Sequence, residues 1–252
     1  MHSSKRLRLE TTPENLFGRI MDLFCPIGIG QCGVIAGPKK TGKMLVMENI
    51  ANAVRINHPD TVIFVVLVGM GQEEVGALRR ATKGSIVFAM SDETQESSQL
   101  KPAEFVLQWA QKLMECKSNV LIFLVMLSPC AMLKHFIQAA ECREDGGTLT
   151  VVVVAPDTSP DHAHDEQWQK LCDINILMAA DVLKAGIFPA VNIHLSGNRK
   201  EKELFSREDM GRILVLRKVL GSLSAGEAVK LLGGKMLTTG SNNEFLANMS
   251  SI

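Results

Sequence analysis

Tyrosine is absent from this chain and aromatic residues make up only 5%, so a stacking platform for single-stranded nucleic acid has few side chains to draw on. Net charge is absent too: 27 Lys and Arg balance 27 Asp and Glu, which excludes a generally basic nucleic-acid coat and leaves room only for a local basic groove. No Cys-x-x-Cys pair occurs among the six cysteines, Cys25, Cys32, Cys116, Cys130, Cys142 and Cys172. Most lie in or beside apolar runs, so we expect buried reduced thiols rather than disulfides or a zinc site. The longest apolar runs, around Val62–Val68 and Val120–Leu127, fall far short of the roughly 20 residues that span a bilayer. Met1–Glu10 is polar and basic and does not resemble a secretion signal, so the expected location is the cytoplasm, with no membrane partner.

What the 252 residues do contain is a globular balance, 46% hydrophobic and 21% charged. Six short apolar runs stand out: Cys32–Gly37, Thr61–Val68, Ser85–Ala89, Val120–Leu127, Thr148–Ala155 and Ile174–Met178. They are β-branched-rich and mostly unalternated, which marks strands buried on both faces of a parallel sheet. Helical stretches, Gly42–Asn57, Gln72–Thr82 and Pro102–Cys116, separate them, and Glu208–Leu220 with Ala225–Leu232 read as a C-terminal helical pair. The expectation is an α/β fold, a mainly parallel sheet flanked by helices, with ligands beyond the carboxyl ends of the strands. No repeat or linker divides the chain, and residues 1–252 read as one domain with 1–24 as a leading segment. The polar stretch Pro156–Gln167 reads as a surface loop.

The strongest local motif is Gly37, Pro38, Lys39, Lys40, Thr41, Gly42, Lys43 and Met44, a Gly-x-x-x-x-Gly-Lys loop between a strand and a helix start. Glycines let backbone N–H groups curl around phosphate oxygens, the helix start adds positive charge, and Lys43 neutralises the terminal phosphates. ATP or ADP is the implied ligand. The next position should carry a hydroxyl for magnesium, and Met44 offers a thioether, a poor ligand for so hard a cation. Hydrolysis also needs a carboxylate at a neighbouring strand end and another to orient water. Asn119–Leu127 holds no acid, and Thr61–Val68 runs on into Gly69, Met70 and Gly71. Glu73 and Glu74 follow on what reads as the first helical turn, where acids favour the dipole. No metal site is expected.

These residues resemble the ATPase domain of transcription termination factor Rho. The resemblance runs through Pro26–Gly33 (PIGIGQCG), the glycine-lysine loop, Asn57–Asp60 (NHPD), Glu73–Val75 (EEV) and Gly146–Thr150 (GGTLT). It continues through Phe188–Ala190 (FPA), Ser196–Glu201 (SGNRKE), Leu216–Lys218 (LRK) and the tail at Asn243–Phe245 (NEF), so it covers essentially the whole chain in order. It begins at Ser4–Glu10 (SKRLRLE), near that family's domain boundary, without a counterpart of its N-terminal RNA-binding domain. The resemblance implies a RecA-like P-loop NTPase fold and a ring hexamer with nucleotide between subunits. It implies that Lys40 and Lys43 are the phosphate-loop lysines, that Phe188 stacks on adenine, and that Arg199 is an arginine finger acting on the adjacent subunit. It also puts Met44 at the magnesium-binding threonine, Val125 at the strand-end aspartate, Met70 at the catalytic glutamate, and Gly71 and Gly186 at active-site arginines. The RNA-contacting loop between the fourth and fifth strands is shortened to Ser128–Gly147, and a central-channel lysine falls loosely near Ser159.

A general base contributes about 10²–10⁴-fold to rate and a metal several kcal/mol, so the chain reads as a pseudo-ATPase that acts through assembly or partner binding. The alternatives are an ATP-driven RNA translocase and a structural protein with an empty loop. Lys5, Arg6 and Arg8 form a small basic arm, read as a solvated terminus with RNA contact as the other possibility.

Overall fold

A computed structural model of the chain describes residues 6–90, 96–127, 132–143, 146–157, 170–184 and 186–251. The apolar runs form strands β3 (Cys32–Ala36), β4 (Val62–Val68), β5 (Ile86–Met90), β6 (Asn119–Met126), β8 (Thr148–Val154) and β9 (Ile174–Leu177). Two short strands, β1 (Arg6–Leu7) and β2 (Ile27–Gly28), pair with each other outside the main sheet. The main sheet runs β5–β4–β6–β8–β3–β9, every neighbouring pair parallel. Antiparallel β10 (Gly197–Asn198) closes one edge on β9, and β7 (Glu141–Cys142) pairs antiparallel with β8.

Strand side chains alternate between two apolar layers, as a pleated sheet buried on both faces requires. Ile35, Val65, Leu67, Phe123, Val125, Val152 and Val154 face one layer. Its helices are α1 (Leu16–Phe24), α2 (Lys43–Asn57), α3 (Gln72–Ala81), α7 (Arg207–Leu220) and α8 (Ala225–Met236). Val34, Phe64, Val66, Ile122, Leu124, Val151 and Val153 face the other, under α4 (Glu96–Glu115) and α5 (Leu133–Ala139). The two remaining α-helices of the described residues are α6 (Ala180–Lys184) and α9 (Asn242–Ala247). The C-terminal pair is present with serine N-caps: Ser206 accepts from Asp209 N, and Ser224 shares a capping box with Glu227. Helix α8 extends to Met236, a turn past its expected end.

Residues 6–24 are more than a leader. Leu7, Leu9, Phe17, Ile20 and Phe24 are all buried, and two buried charges tie the segment down. Asp22 accepts the Leu9 and Glu10 backbone N–H groups at 2.8–3.0 Å, and burial pushes its carboxyl up to about 6. Arg19 is fully buried and donates to Met236 O (2.7 Å), Thr239 O (2.8 Å) and Thr239 Oγ1 (2.7 Å), with Glu10 Oε1 at 3.7 Å. Helix α1 is thereby bolted to the C-terminal helices. The basic arm is partly engaged: half-buried Arg6 lies over the Phe205 ring at 4.9 Å, and exposed Arg8 pairs with Glu10 at 3.1 Å, while Lys5 lies outside the described residues.

One expectation is corrected. Cys32 and Cys172 form a disulfide rather than two reduced thiols. They are 140 residues apart, and the parallel pairing of β3 with β9 brings their Cα atoms to 4.9 Å, a proximity that sequence spacing does not reveal. Cys25 is buried and free, its thiol pushed up to about 12 by burial; Cys116 and Cys142 are free and exposed. Cys130 lies outside the described residues.

Candidate functional site: the glycine-lysine loop

The loop leaves the carboxyl end of β3 between β8 and β9 and enters α2 at Lys43. Gly37 takes φ +150°, and a Cβ there would stand 2.6 Å from Met178 Cβ, so only glycine fits. Gly42, the N-cap of α2, is left-handed at φ +87°, as is Lys40 at φ +63°. Thr41 is buried and its hydroxyl donates to Pro38 O at 2.7 Å, which ties the turn to itself. Lys39 and Lys40 are exposed and Pro38 is half-buried.

Lys43 is only 7% exposed, and its ammonium has three partners within the chain. Nζ donates to Gly37 O at 3.2 Å and to Ala155 O at 2.9 Å, and it pairs with Asp157 Oδ1 at 3.1 Å. Ala155 and Asp157 follow β8. Asp157 sits in the stretch read as a surface loop, of which residues 158–167 lie outside the described residues. Sequence reasoning missed both partners, because a carbonyl carries no sequence signal and Asp157 looks like any acid in a polar run.

The three positions that the resemblance sets at the magnesium and catalytic groups are apolar and share one layer. Val125 is fully buried on β6, between Leu67 of β4 and Val154 of β8 in register; Met44 and Met70 are partly buried against the same layer. Glu74 Oε2 accepts the Gly71 N–H at 3.1 Å and so caps α3, as its place in the first turn suggests, and Glu73 is exposed. Among the described residues no three His, Cys, Asp or Glu side chains come together to hold a metal. Magnesium does not fit this donor set: the two thioethers of Met44 and Met70 and the hydrocarbon of Val125 supply none of the hard oxygen it needs.

Phe188 lies near the loop's end of the sheet, because Ala190 O accepts from Ala179 N just beyond β9. It is 39% exposed and stacks on Phe17, ring centroids 5.7 Å apart and planes 18° apart, a partner sequence reasoning did not supply. Gly186, in the turn before it, has φ +70°. Arg199 is not brought to the loop of its own chain. Its backbone N–H donates to Asp173 O at 3.0 Å, before the start of β9, whereas the loop follows the end of parallel β3. The exposed Arg199 side chain lines a cavity of about 290 Å³ with Glu201, Arg217 and Asn175. The connection from β6 to β8 carries α5 and β7, with residues 128–131 and 144–145 outside the described residues, as is Ser159.

A glycine-lysine loop after one parallel strand, with β8 inserted between that strand and β6, defines a RecA-like nucleotide-binding fold of the ATPase class. Residues 18–141 match the ATP synthase alpha/beta family nucleotide-binding domain. A solved type III secretion system ATPase shares the fold, with a TM-score of 0.69 at 16% identity over 92% of this chain and 82% of that one. Transcription termination factor Rho of Buchnera aphidicola subsp. Baizongia pistaciae is 31% identical over 99% of this chain, and that of Escherichia coli strain K12 is 30% identical over the same share. The chain spans about two thirds of the length of these relatives, 66% in each case. It belongs to the family of transcription termination factor Rho. Among the described residues no helix is long and apolar enough to cross a membrane.

Proposed function

We propose that this chain is a Rho-type pseudo-ATPase: one RecA-like domain that holds ADP or ATP weakly at Gly37–Met44, without magnesium, and acts through assembly rather than hydrolysis. One observation carries the reading. Met44, Met70 and Val125, the positions for metal and base, are hydrocarbon or thioether side chains of a single apolar layer. A hydrated magnesium-triphosphate set against that wall would lose its solvation without gaining ligands. Without the base and the metal, turnover falls by about 10²–10⁴-fold for the base alone and by further powers of ten for the metal.

Assembly follows from what is retained. Arg199 is exposed and remote from its own loop, an arrangement that suits an arginine offered to a neighbouring subunit's site in a homo- or hetero-oligomeric ring. In a mixed ring such a chain completes the site of a competent neighbour. A purely structural loop is the second reading, favoured by the complete internal coordination of Lys43. As an RNA translocase the chain would lack hydrolytic acids at Met70 and Val125, and of the basic arm Arg6 is stacked on Phe205 and Arg8 paired with Glu10.

Phosphate release with ATP, magnesium and RNA tests the proposal: the purified chain should release no more than its Lys43→Ala variant. Calorimetric titration with ADP should give the same affinity with magnesium and with a chelator. RNA-stimulated ATP consumption abolished by Lys43→Ala overturns it. For the assembly arm, Arg199→Ala should lower a competent partner's ATPase in a reconstituted mixture, and an unchanged rate removes that role.

A further inference from the structure

We infer that Asp157 is a built-in counter-anion of the phosphate loop, a side chain that occupies the charge-neutralising place of a bound phosphate and sets how tightly the loop takes one. The inference rests on the phosphate-loop reading of the same site and adds the residue that regulates it. Besides any duty to the fold, a buried ammonium at a phosphate loop presents N–H donors and a positive charge to phosphate oxygens. Lys43 has three donors, and all three have partners: two carbonyls, Gly37 O and Ala155 O, and one carboxylate, Asp157 Oδ1 at 3.1 Å. The carbonyls belong to the ends of β3 and β8 and are fixed by the sheet. Asp157 is the partner that solvent and an incoming anion can reach, its side chain 47% exposed against 7% for the lysine.

An incoming phosphate must therefore take the place of Asp157 at Lys43. The anion meets a loop whose positive charge is already neutralised, and the displaced carboxylate remains close enough to repel it. A charge-assisted contact of this kind has to be broken before the ligand forms its own, which lowers affinity by the worth of the contact. Removing the carboxylate leaves Lys43 buried with an unneutralised charge, which raises the loop's demand for an anion.

The test uses the full chain with its Asp157→Asn and Asp157→Ala variants, and two probes in chelator, inorganic pyrophosphate and a fluorescent ADP. Both variants are expected to melt lower than wild type without added anion, and pyrophosphate is expected to raise their Tm more than it raises that of wild type. Fluorescent ADP should bind both variants roughly tenfold more tightly. Unchanged melting with equal pyrophosphate responses overturns the inference whatever ADP does. Lower melting without preferential rescue by pyrophosphate also overturns it, because the pair is then only structural. Measurable ADP binding of equal affinity in all three proteins overturns it and leaves the nucleotide reading standing. ADP binding to none of the three strikes the nucleotide reading instead, and the pyrophosphate melts then decide the role of Asp157.

Discussion

Placing an acid at the strand end should break the fold before it makes an enzyme. Val125 is fully buried in the middle of the sheet, between Leu67 and Val154, and faces the apolar layer that Met44 and Met70 share. Val125→Asp forfeits about 1.5–3 kcal/mol of apolar burial. Flanked in register by the hydrocarbon side chains of Leu67 and Val154, the new carboxyl stays protonated. Holding protonated at pH 7 a group that ionises near 3.9 when unfolded costs about 4 kcal/mol. The sum, about 6 kcal/mol, is comparable to the whole stability of a typical domain. Urea unfolding followed by circular dichroism should show the variant largely unfolded near pH 7, with about 4 kcal/mol recovered near pH 4, where both states bind the proton. Val125→Thr, nearly isosteric and uncharged, should lose only about 1–3 kcal/mol. If Val125→Asp is as stable as wild type near pH 7 and gains magnesium-dependent nucleotide binding, the space is polar and wet, and the pseudo-ATPase reading collapses with it.

The buried N-terminal network makes two further predictions. Burial raises Asp22 from 3.8 to about 6, so the folded state binds that proton more tightly than the unfolded chain. The stability Asp22 contributes is complete below pH 4 and is lost as pH rises through 6; wild type should therefore fall by up to about 3 kcal/mol relative to Asp22→Asn between about pH 4 and 7 in paired urea titrations, and a pH-independent difference refutes this. Arg19→Met leaves the Met236 and Thr239 carbonyls and the Glu10 carboxylate without their buried donor, and should cost about 3–5 kcal/mol in the same assay; a loss below about 1 kcal/mol would mean the C-terminal helices do not depend on it.

The parallel sheet was readable from the sequence because its strands are apolar at nearly every position, and each of the six expected runs lies within a residue of its observed strand at either end. The loop was readable because a left-handed or crowded backbone demands glycine at Gly37 and Gly42. What stayed hidden lacks local periodicity or depends on pairing at long range. Helix α1 carries Arg19 and Asp22 on faces that turn out to be buried, and charges read as solvent-facing until their partners are known. The Cys32–Cys172 bond, the Phe17–Phe188 stack and the Lys43–Asp157 pair join residues more than 100 positions apart, and nothing in the spacing of one partner announces the other.

On the pseudo-ATPase proposal, the unequal survival of the site's parts has a physical cause. The acids and the hydroxyl of a hydrolytic centre serve only metal and water, and apolar replacements at Met44, Met70 and Val125 extend an existing core. The glycine-lysine loop serves the fold as well. Gly37 passes against Met178 where no Cβ fits, and Lys43 satisfies carbonyls at the ends of two strands. On the same proposal, loss of catalysis removes the constraint on the first group and leaves the second in place. Lys43→Ala should accordingly lower stability by about 1–3 kcal/mol with no nucleotide present, because Gly37 O and Ala155 O lose a buried donor and Asp157 its counter-charge. Lost nucleotide binding in that variant then mixes a missing phosphate contact with a disturbed loop, and the Asp157 variants, which keep the lysine, separate the two. If Lys43→Ala unfolds at the same urea concentration as wild type, the lysine has no structural duty, and its presence argues for a ligand alone.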